Sequence, residues 1–163
     1  MRQTPNINSY AFKLLSIRDR SEGELMAKLK EKGYSPDLIA ETIGQLKSSG
    51  FIDDRKTAES ITRYCKDGKL LGENGTKYYL KKRGIPGDII AELSYSPDEQ
   101  MERAKILIAK KERSLKKLPV KVKISRLYGQ LQRKGYVYDI IQKAIREYEH
   151  LSGVPETEKA DMI

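Results

Sequence analysis

Few residues of this chain could support catalysis. A single histidine, His150, stands near the end of the sequence, and a single cysteine, Cys65, lies mid-chain. Nucleophilic catalysis needs a serine, threonine or cysteine activated by an ordered base, most often histidine. Because His150 borders a segment that we expect to be disordered, it does not complete such an arrangement. We therefore predict no catalytic residue and no enzymatic activity.

The acidic and glycine-rich segments do not indicate a metal or a cofactor. The acidic pair Asp53–Asp54 follows a glycine, where capping of the next helix explains it more simply than a metal site, which needs a cluster of ligands. The segment from Gly72 to Thr76 lacks the Gly-Lys-Ser/Thr ending of a phosphate-binding loop. Cys65 follows Ala58 and Ile61 at helical spacing, which predicts a buried structural thiol. A lone cysteine also fits a reducing, cytoplasmic setting.

Charge gives the clearest chemical signal. Lysine and arginine number 32 against 23 acidic residues, a net charge of +9. The stretch from Glu99 to Lys134 holds twelve basic residues and three acidic ones, so it carries the whole excess. A solvated helix face is the ordinary explanation of a charge run, but this imbalance favours a polyanionic partner, which could be nucleic acid, an acidic protein groove or a membrane surface. Tyr128, Tyr136 and Tyr138 lie nearby and could stack on bases, although the spacing of Tyr128 from Ile124 favours the edge of the core.

Helix signals recur along the chain, and strand signals are scarce. Ser21 to Glu24 reads as a capping box, in which the serine accepts the Glu24 N–H and the glutamate reaches back to the serine N–H. Gly33 then predicts a helix end, and Ser35-Pro36 a helix start. Behind Pro119, which we expect at the first helical position, an apolar stripe is formed by Val120, Ile124, Leu127 and Leu131.

An internal repeat organises these helices. Gly33, Gly84 and Gly135 are spaced by 51 residues, and each is followed four residues later by an aspartate and two aliphatic residues. Such periodicity is typical of a helical array whose units share their cores. We predict an all-α protein of three tandem three-helix repeats that form an elongated, curved array. The expected segments are repeat 1 at residues 1–54, repeat 2 at 55–95, repeat 3 at 96–150 and a disordered tail at 151–163.

Three motifs give these repeats a family resemblance. Arg18-Asp19-Arg20-Ser21-Glu22-Gly23-Glu24-Leu25 resembles the Arg-x-Arg-Ser-x-x-Glu-Leu motif of the bacterial RecX family, which regulates the RecA recombinase. Gly50-Phe51-Ile52-Asp53-Asp54 is similar to the family's Gly-aromatic-aliphatic-Asp-Asp element. Gly72, Leu80 and the segment Arg83-Gly84-Ile85 keep the family's spacing. The resemblance extends from about Tyr10 to Tyr148.

The resemblance implies a protein without chemistry of its own that lies in the groove of the RecA–DNA filament. It implies limits on filament growth, ATP hydrolysis, strand exchange and co-protease activity. We expect a monomer that binds the RecA nucleoprotein filament, single- and double-stranded DNA being further candidates, with no membrane partner. The alternative is a free-standing nucleic-acid-binding protein; a membrane-surface helix fits less well, since the basic stretch has no tryptophan and no broad apolar face.

Two sets of residues follow from these considerations. The candidate partner-binding residues are Arg18, Arg20, Lys81, Lys82, Lys110, Lys111, Arg113, Lys116, Lys117, Lys121, Lys123, Arg126, Arg133 and Lys134. The residues of the structural family motif are Ser21, Glu24, Leu25, Gly33, Gly50, Phe51, Asp53, Asp54, Gly72, Gly84 and Gly135.

Overall fold

The computed structural model describes residues 6–152, and all the regular structure in that range is helical. The prediction of an all-α protein is confirmed there. The tail predicted at 151–163 lies outside the described residues from residue 153 onward. The helices are α1 (Ile7–Ile17), α2 (Glu22–Lys32), α3 (Pro36–Ser48), α4 (Asp54–Arg63), α5 (Glu73–Lys82), α6 (Gly87–Glu92), α7 (Pro97–Glu112), α8 (Val120–Arg133) and α9 (Tyr138–Leu151).

Local signals set most of the helix ends. Ser35 and Ser96 cap α3 and α7 with their hydroxyl groups, and proline occupies the position that follows each of them. Both features satisfy or remove backbone N–H groups that a helix leaves unpaired at its start. Pro119 differs from the prediction, because α8 begins one residue later, at Val120, and has no side-chain cap.

Two compact units make up the described part of the chain. The first unit contains residues up to Tyr64 together with Tyr78–Leu93, and the second contains Cys65–Lys77 and the residues from Ser94 onward. The first half of helix α5, up to Lys77, therefore belongs to the second unit, and its second half, from Tyr78, belongs to the first unit.

The first unit is built around α1, α2 and α3. Its core consists of aliphatic residues at helical spacing on these three helices and at Ile52, which follows α3. Leu25 and Leu29 of α2 are fully buried at its centre, and Leu80 of α5 is fully buried as well. Leu25, a residue of the family motif, thus serves packing.

The second unit is built around α7, α8 and α9. Ile124, Leu127 and Leu131 of α8 lie in its core as predicted, but Val120 is 36% exposed because it stands at the first position of the helix. Cys65 is fully buried in a π-helical turn, Tyr64–Gly68, that follows α4. The prediction of a buried thiol is confirmed.

Candidate partner-binding surface and the repeat junctions

A cationic segment, residues 110–126, joins the end of α7 to the first two turns of α8. It contains one acidic residue, Glu112, whose carboxylate accepts a hydrogen bond of 3.2 Å from the Tyr148 hydroxyl. Six of its eight cations are exposed, and Lys111 and Lys123 are half-buried. Within residues 6–152 no carboxylate forms an ion pair with any of the eight. The cations are Lys110, Lys111, Arg113, Lys116, Lys117, Lys121, Lys123 and Arg126.

The start of α8 is electrostatically unlike the start of its neighbours. Seven of the nine described helices carry an aspartate or glutamate in the first turn, where a carboxylate is favourable to the helix dipole; α1 lacks one but is capped by Asn6. Helix α8 has neither an acidic residue nor a side-chain cap there, and Lys121 and Lys123 stand at its second and fourth positions instead. Cations at a helix N-terminus cost stability unless an anion offsets them. This arrangement suits an anionic partner.

The three tyrosines near this segment differ in accessibility. Tyr136 is buried, and its hydroxyl donates to the carbonyl oxygen of Leu70 at 3.1 Å, so its ring is not available to stack on a base. Burial raises the pKa of Tyr136 to about 12. Tyr128 packs against the edge of the core, as its spacing indicated, and Tyr138 is exposed.

Arg18 and Arg20, two of the candidate contact residues, take part in an internal cluster around Glu24. The Arg20 guanidinium is buried and donates to the Leu14 carbonyl oxygen at 3.2 Å and to Glu24 at 2.7 Å. Arg18 and Arg83 bind the same carboxylate. The glutamate of the predicted capping box thus binds three arginines rather than reaching back along α2, because guanidinium groups offer stronger, charge-assisted hydrogen bonds.

Ser21 confirms the other half of the capping box and adds a contact between distant parts of the chain. Its Oγ accepts the Glu24 N–H at 3.1 Å and donates to the Arg83 carbonyl oxygen at 2.6 Å. Gly23 lies so close to Gly84 that a Cβ atom on Gly23 would stand 2.9 Å from the Gly84 oxygen. The start of α2 therefore rests directly on the turn after α5, within the first unit. This is the first junction.

The second junction repeats this contact within the second unit. The N–H of Gly72 donates to the Lys134 carbonyl oxygen at 3.0 Å, and the N–H of Asn74 donates to the Gly135 oxygen at 2.9 Å. A Cβ atom on Gly72 would stand 2.6 Å from the Tyr136 nitrogen. The start of α5 therefore rests on the turn after α8, and Lys134 contributes by donating to the Lys69 carbonyl oxygen at 2.6 Å.

The two junctions follow the 51-residue period. Ser21 corresponds to Gly72, Glu24 to Gly75, and Gly84 to Gly135. Gly84 and Gly135 have φ angles of 72° and 75°, in the left-handed region that favours glycine, and both also face backbone too close for a Cβ. Gly33 has a φ of 97° but open space around it, since no helix start rests on its turn in the described structure. Gly75 was not among the residues predicted from sequence, although the 51-residue period leads to it from Glu24.

The other candidate residues are divided between exposed positions and helix starts. Lys81, Lys82 and Arg133 are exposed near helix ends. Gly50 has a φ of 74° in the turn after α3, and Phe51 is exposed with its ring edge-on to Phe12 at 5.0 Å.

Asp53 and Asp54 act at helix starts. Asp53 caps α4 as predicted, and Asp54 accepts the Glu22 N–H at 2.8 Å. Each aspartate thus satisfies a backbone N–H of a helix start.

No group of three or more potential ligand residues is assembled within residues 6–152. None of the helices in that range is long and apolar enough to cross a bilayer.

These features define a class: all-helical proteins of small repeated units with an unpaired cationic segment. Sequence models of the RecX family match the chain at both ends, the first three-helix domain at residues 9–46 and the third three-helix domain at residues 98–145. The prediction of three-helix units is thereby confirmed at residues 9–46 and 98–145.

Whole-chain comparisons agree. The chain is 31% identical to a protein of Chlorobaculum tepidum named regulatory protein RecX, over 84% of each sequence. It is 37% identical to the protein of the same name from Clostridium botulinum (strain Eklund 17B / Type B), over 84% of this chain but 66% of the relative's length. A crystal structure of RecX from Lactobacillus salivarius superposes with a TM-score of 0.75 at 28% identity, over 86% of this chain and 93% of that chain. The chain belongs to the RecX family.

Proposed function

We propose that this chain is a non-enzymatic regulator, mainly negative, of a RecA recombinase. In this proposal it binds the groove of the RecA–DNA filament and limits filament growth, ATP hydrolysis, strand exchange and co-protease activity. Family membership supports a regulatory role, since the relatives above are named regulatory proteins. In this proposal the chain is a monomer with three repeats, at residues 1–54, 55–95 and 96–150.

The observation that best supports a location for the contact surface is the unpaired cationic segment, residues 110–126. The pair Lys121 and Lys123 is the sharpest part of it, because these lysines sit at the start of α8 where the helix itself favours an anion. A filament presents two anionic components, the DNA phosphates and acidic side chains on its protein. Arg20 and Lys134 are left out of the surface, because the first is buried in the Glu24 cluster and the second donates within its own unit.

The test is the DNA-dependent ATPase of the cognate RecA on single-stranded DNA, titrated with this protein and a Lys116→Glu/Lys117→Glu/Lys121→Glu variant. We expect inhibition by the wild type at concentrations well below that of RecA and its loss in the variant. The matched control is Lys13→Glu/Lys30→Glu/Lys143→Glu, which changes the net charge equally at exposed lysines elsewhere. Absence of inhibition by the wild type would refute the proposal, and equal loss in both variants would refute the cationic segment as the contact.

The second candidate function is free-standing binding of nucleic acid, favoured by the same unpaired lysines. Affinity for bare DNA should then fall steeply with salt, by about 0.9 in the slope of log K against log salt for each phosphate neutralised. Regulation of the filament should instead require RecA. If the wild type retards bare DNA at physiological salt and leaves RecA unaffected, this second function replaces the first.

A further inference from the structure

A groove of about 590 Å³ opens in the first unit, on the same residues that surround Glu24. Arg18, Arg83, Tyr64 and Tyr79 line it, together with Ser60 of α4. The two rings lie 6.3 Å apart between centroids and are tilted by 55°. Tyr64 is 53% exposed.

Positive charge is in slight excess in this groove. The charged residues that line it are Arg18, Arg83 and Asp19, which leaves one positive charge. Arg18 and Arg83 donate to Glu24 and to the Asp19 carbonyl oxygen. The planar guanidinium fork matches the oxygens of a phosphate, so these two side chains suit an anionic ligand in the groove.

Two more cations lie close in the chain to the two tyrosines of this groove. Arg63 is exposed and directly precedes Tyr64, and Lys82 is exposed one helical turn beyond Tyr79. Cations next to accessible aromatic rings are the arrangement by which proteins hold single-stranded nucleic acid, since bases stack on rings and phosphates bind cations. The single excess charge inside the groove would hold an acidic peptide weakly, whereas the tyrosine surface adds stacking that only a base can use.

We propose that this groove of the first unit binds one or two nucleotides of a single-stranded nucleic acid, with a base on Tyr64 and a phosphate near Arg18 and Arg83. This site is separate from the cationic segment of the second unit and does not rest on the proposed regulation of RecA. The contacts are to base faces and phosphates, so oligonucleotides of deoxythymidine and of uridine should both bind.

The test uses the full chain, without RecA, and fluorescein-labelled dT12 or rU12 at low salt, followed by fluorescence anisotropy. Tyr64→Ala should weaken binding about tenfold, the usual loss for one stacked base, and Tyr64→Phe should retain it. The matched control is Tyr138→Ala, which removes an exposed tyrosine from the second unit. Loss of binding in Tyr138→Ala with none in Tyr64→Ala would overturn the proposal.

Photocrosslinking gives a readout that does not depend on how the variants fold. An oligonucleotide that carries 5-bromodeoxyuridine should crosslink to Tyr64 or Tyr79 in the wild type, as identified by peptide mapping. Crosslinks confined to residues 110–138 would overturn the proposal. A labelled oligoglutamate peptide forms the third arm: if it binds more tightly than dT12 and loses affinity in Tyr64→Ala, the groove is a site for acidic protein segments instead.

Discussion

The Ser21 hydroxyl donates a hydrogen bond of 2.6 Å to the Arg83 carbonyl oxygen, 62 residues further along the chain, while it also caps helix α2. One side chain thus serves a local helix start and a contact between repeats. Since Ser21 is fully buried, its hydroxyl has no water as a substitute partner. The family motif around Ser21 is therefore a structural joint of the repeat array.

Replacing Ser21 by alanine should lower the free energy of unfolding by about 2–3 kcal/mol, because it removes both a helix cap and the hydrogen bond that the Arg83 carbonyl oxygen accepts. Urea unfolding followed by circular dichroism measures this. Ser35→Ala is the matched control, since Ser35 caps α3 at an exposed position and should cost about 1 kcal/mol. Equal losses in the two variants would contradict a special role for the junction.

Gly72→Ala should destabilise the protein by about 3 kcal/mol, because the new methyl group would overlap the backbone at Gly135 and Tyr136. The comparison is Gly44→Ala, which should change the stability in the opposite direction. Gly44 lies inside α3 with open space around its Cα, so alanine there should stabilise the protein by about 0.5–1 kcal/mol. The thermal unfolding midpoints of the two variants, compared with that of the wild type, check both predictions. A Gly72→Ala protein as stable as the wild type would argue against the second junction.

Glu24→Gln should cost about 2–3 kcal/mol, since it leaves the guanidinium groups of Arg18, Arg20 and Arg83 around a neutral amide. The comparison is Glu31→Gln, which breaks a solvent-exposed pair with Lys28 and should leave the stability nearly unchanged. The urea unfolding midpoints of the two variants test this prediction. Similar midpoints would show that the Glu24 cluster contributes little to stability.

Lys121→Glu/Lys123→Glu should raise the free energy of unfolding by about 0.5–1 kcal/mol and at the same time reduce inhibition of RecA. The gain follows from replacing cations by anions in the first turn of α8, where the helix dipole favours negative charge. Because the variant would be more stable than the wild type, its loss of activity could not be ascribed to misfolding. A variant that is both more stable and fully active would remove these lysines from the contact surface.

Stability should fall at alkaline pH, and three groups of the second unit set the range. Burial raises the pKa of Cys65 from 9.0 to about 11, and burial raises the pKa of Tyr95 and Tyr136 from 10.0 to about 12. Above pH 9 the unfolded chain then loses protons that the folded chain keeps, so unfolding becomes more favourable as the pH rises toward 11 or 12. Their contribution is fully present below pH 9.

Urea midpoints between pH 8 and pH 11 test this, with Cys65→Ala as the comparison. That variant should show a shallower decline above pH 9, because it lacks the first of the three groups to ionise in the unfolded chain. In the native wild type at pH 8 the thiol should react with a disulfide reagent far more slowly than in denaturant, since it is buried and protonated. A rapid native reaction would contradict the burial.

Much of the helical structure could be predicted from short-range patterns. Ser35-Pro36, Ser96-Pro97 and Gly33 are local signals, and each acts on backbone groups within a few residues of itself. The cationic segment was also visible, because charge is a property of composition. Local patterns could not reveal that Arg20 is buried or that Glu24 binds Arg83, since those contacts join residues that only the folded chain brings together.

The sequence by itself determined the helical class, the 51-residue period and the concentration of positive charge between Glu99 and Lys134, because helix propensity, periodicity and charge need no knowledge of long-range contacts. Only the tertiary structure revealed which contacts the repeated residues make. It placed the starts of α2 and α5 on the turns at Gly84 and Gly135, where backbone meets backbone too closely for a Cβ. The reason is physical: such close approach depends on packing between segments distant in sequence, and packing is absent from the order of residues.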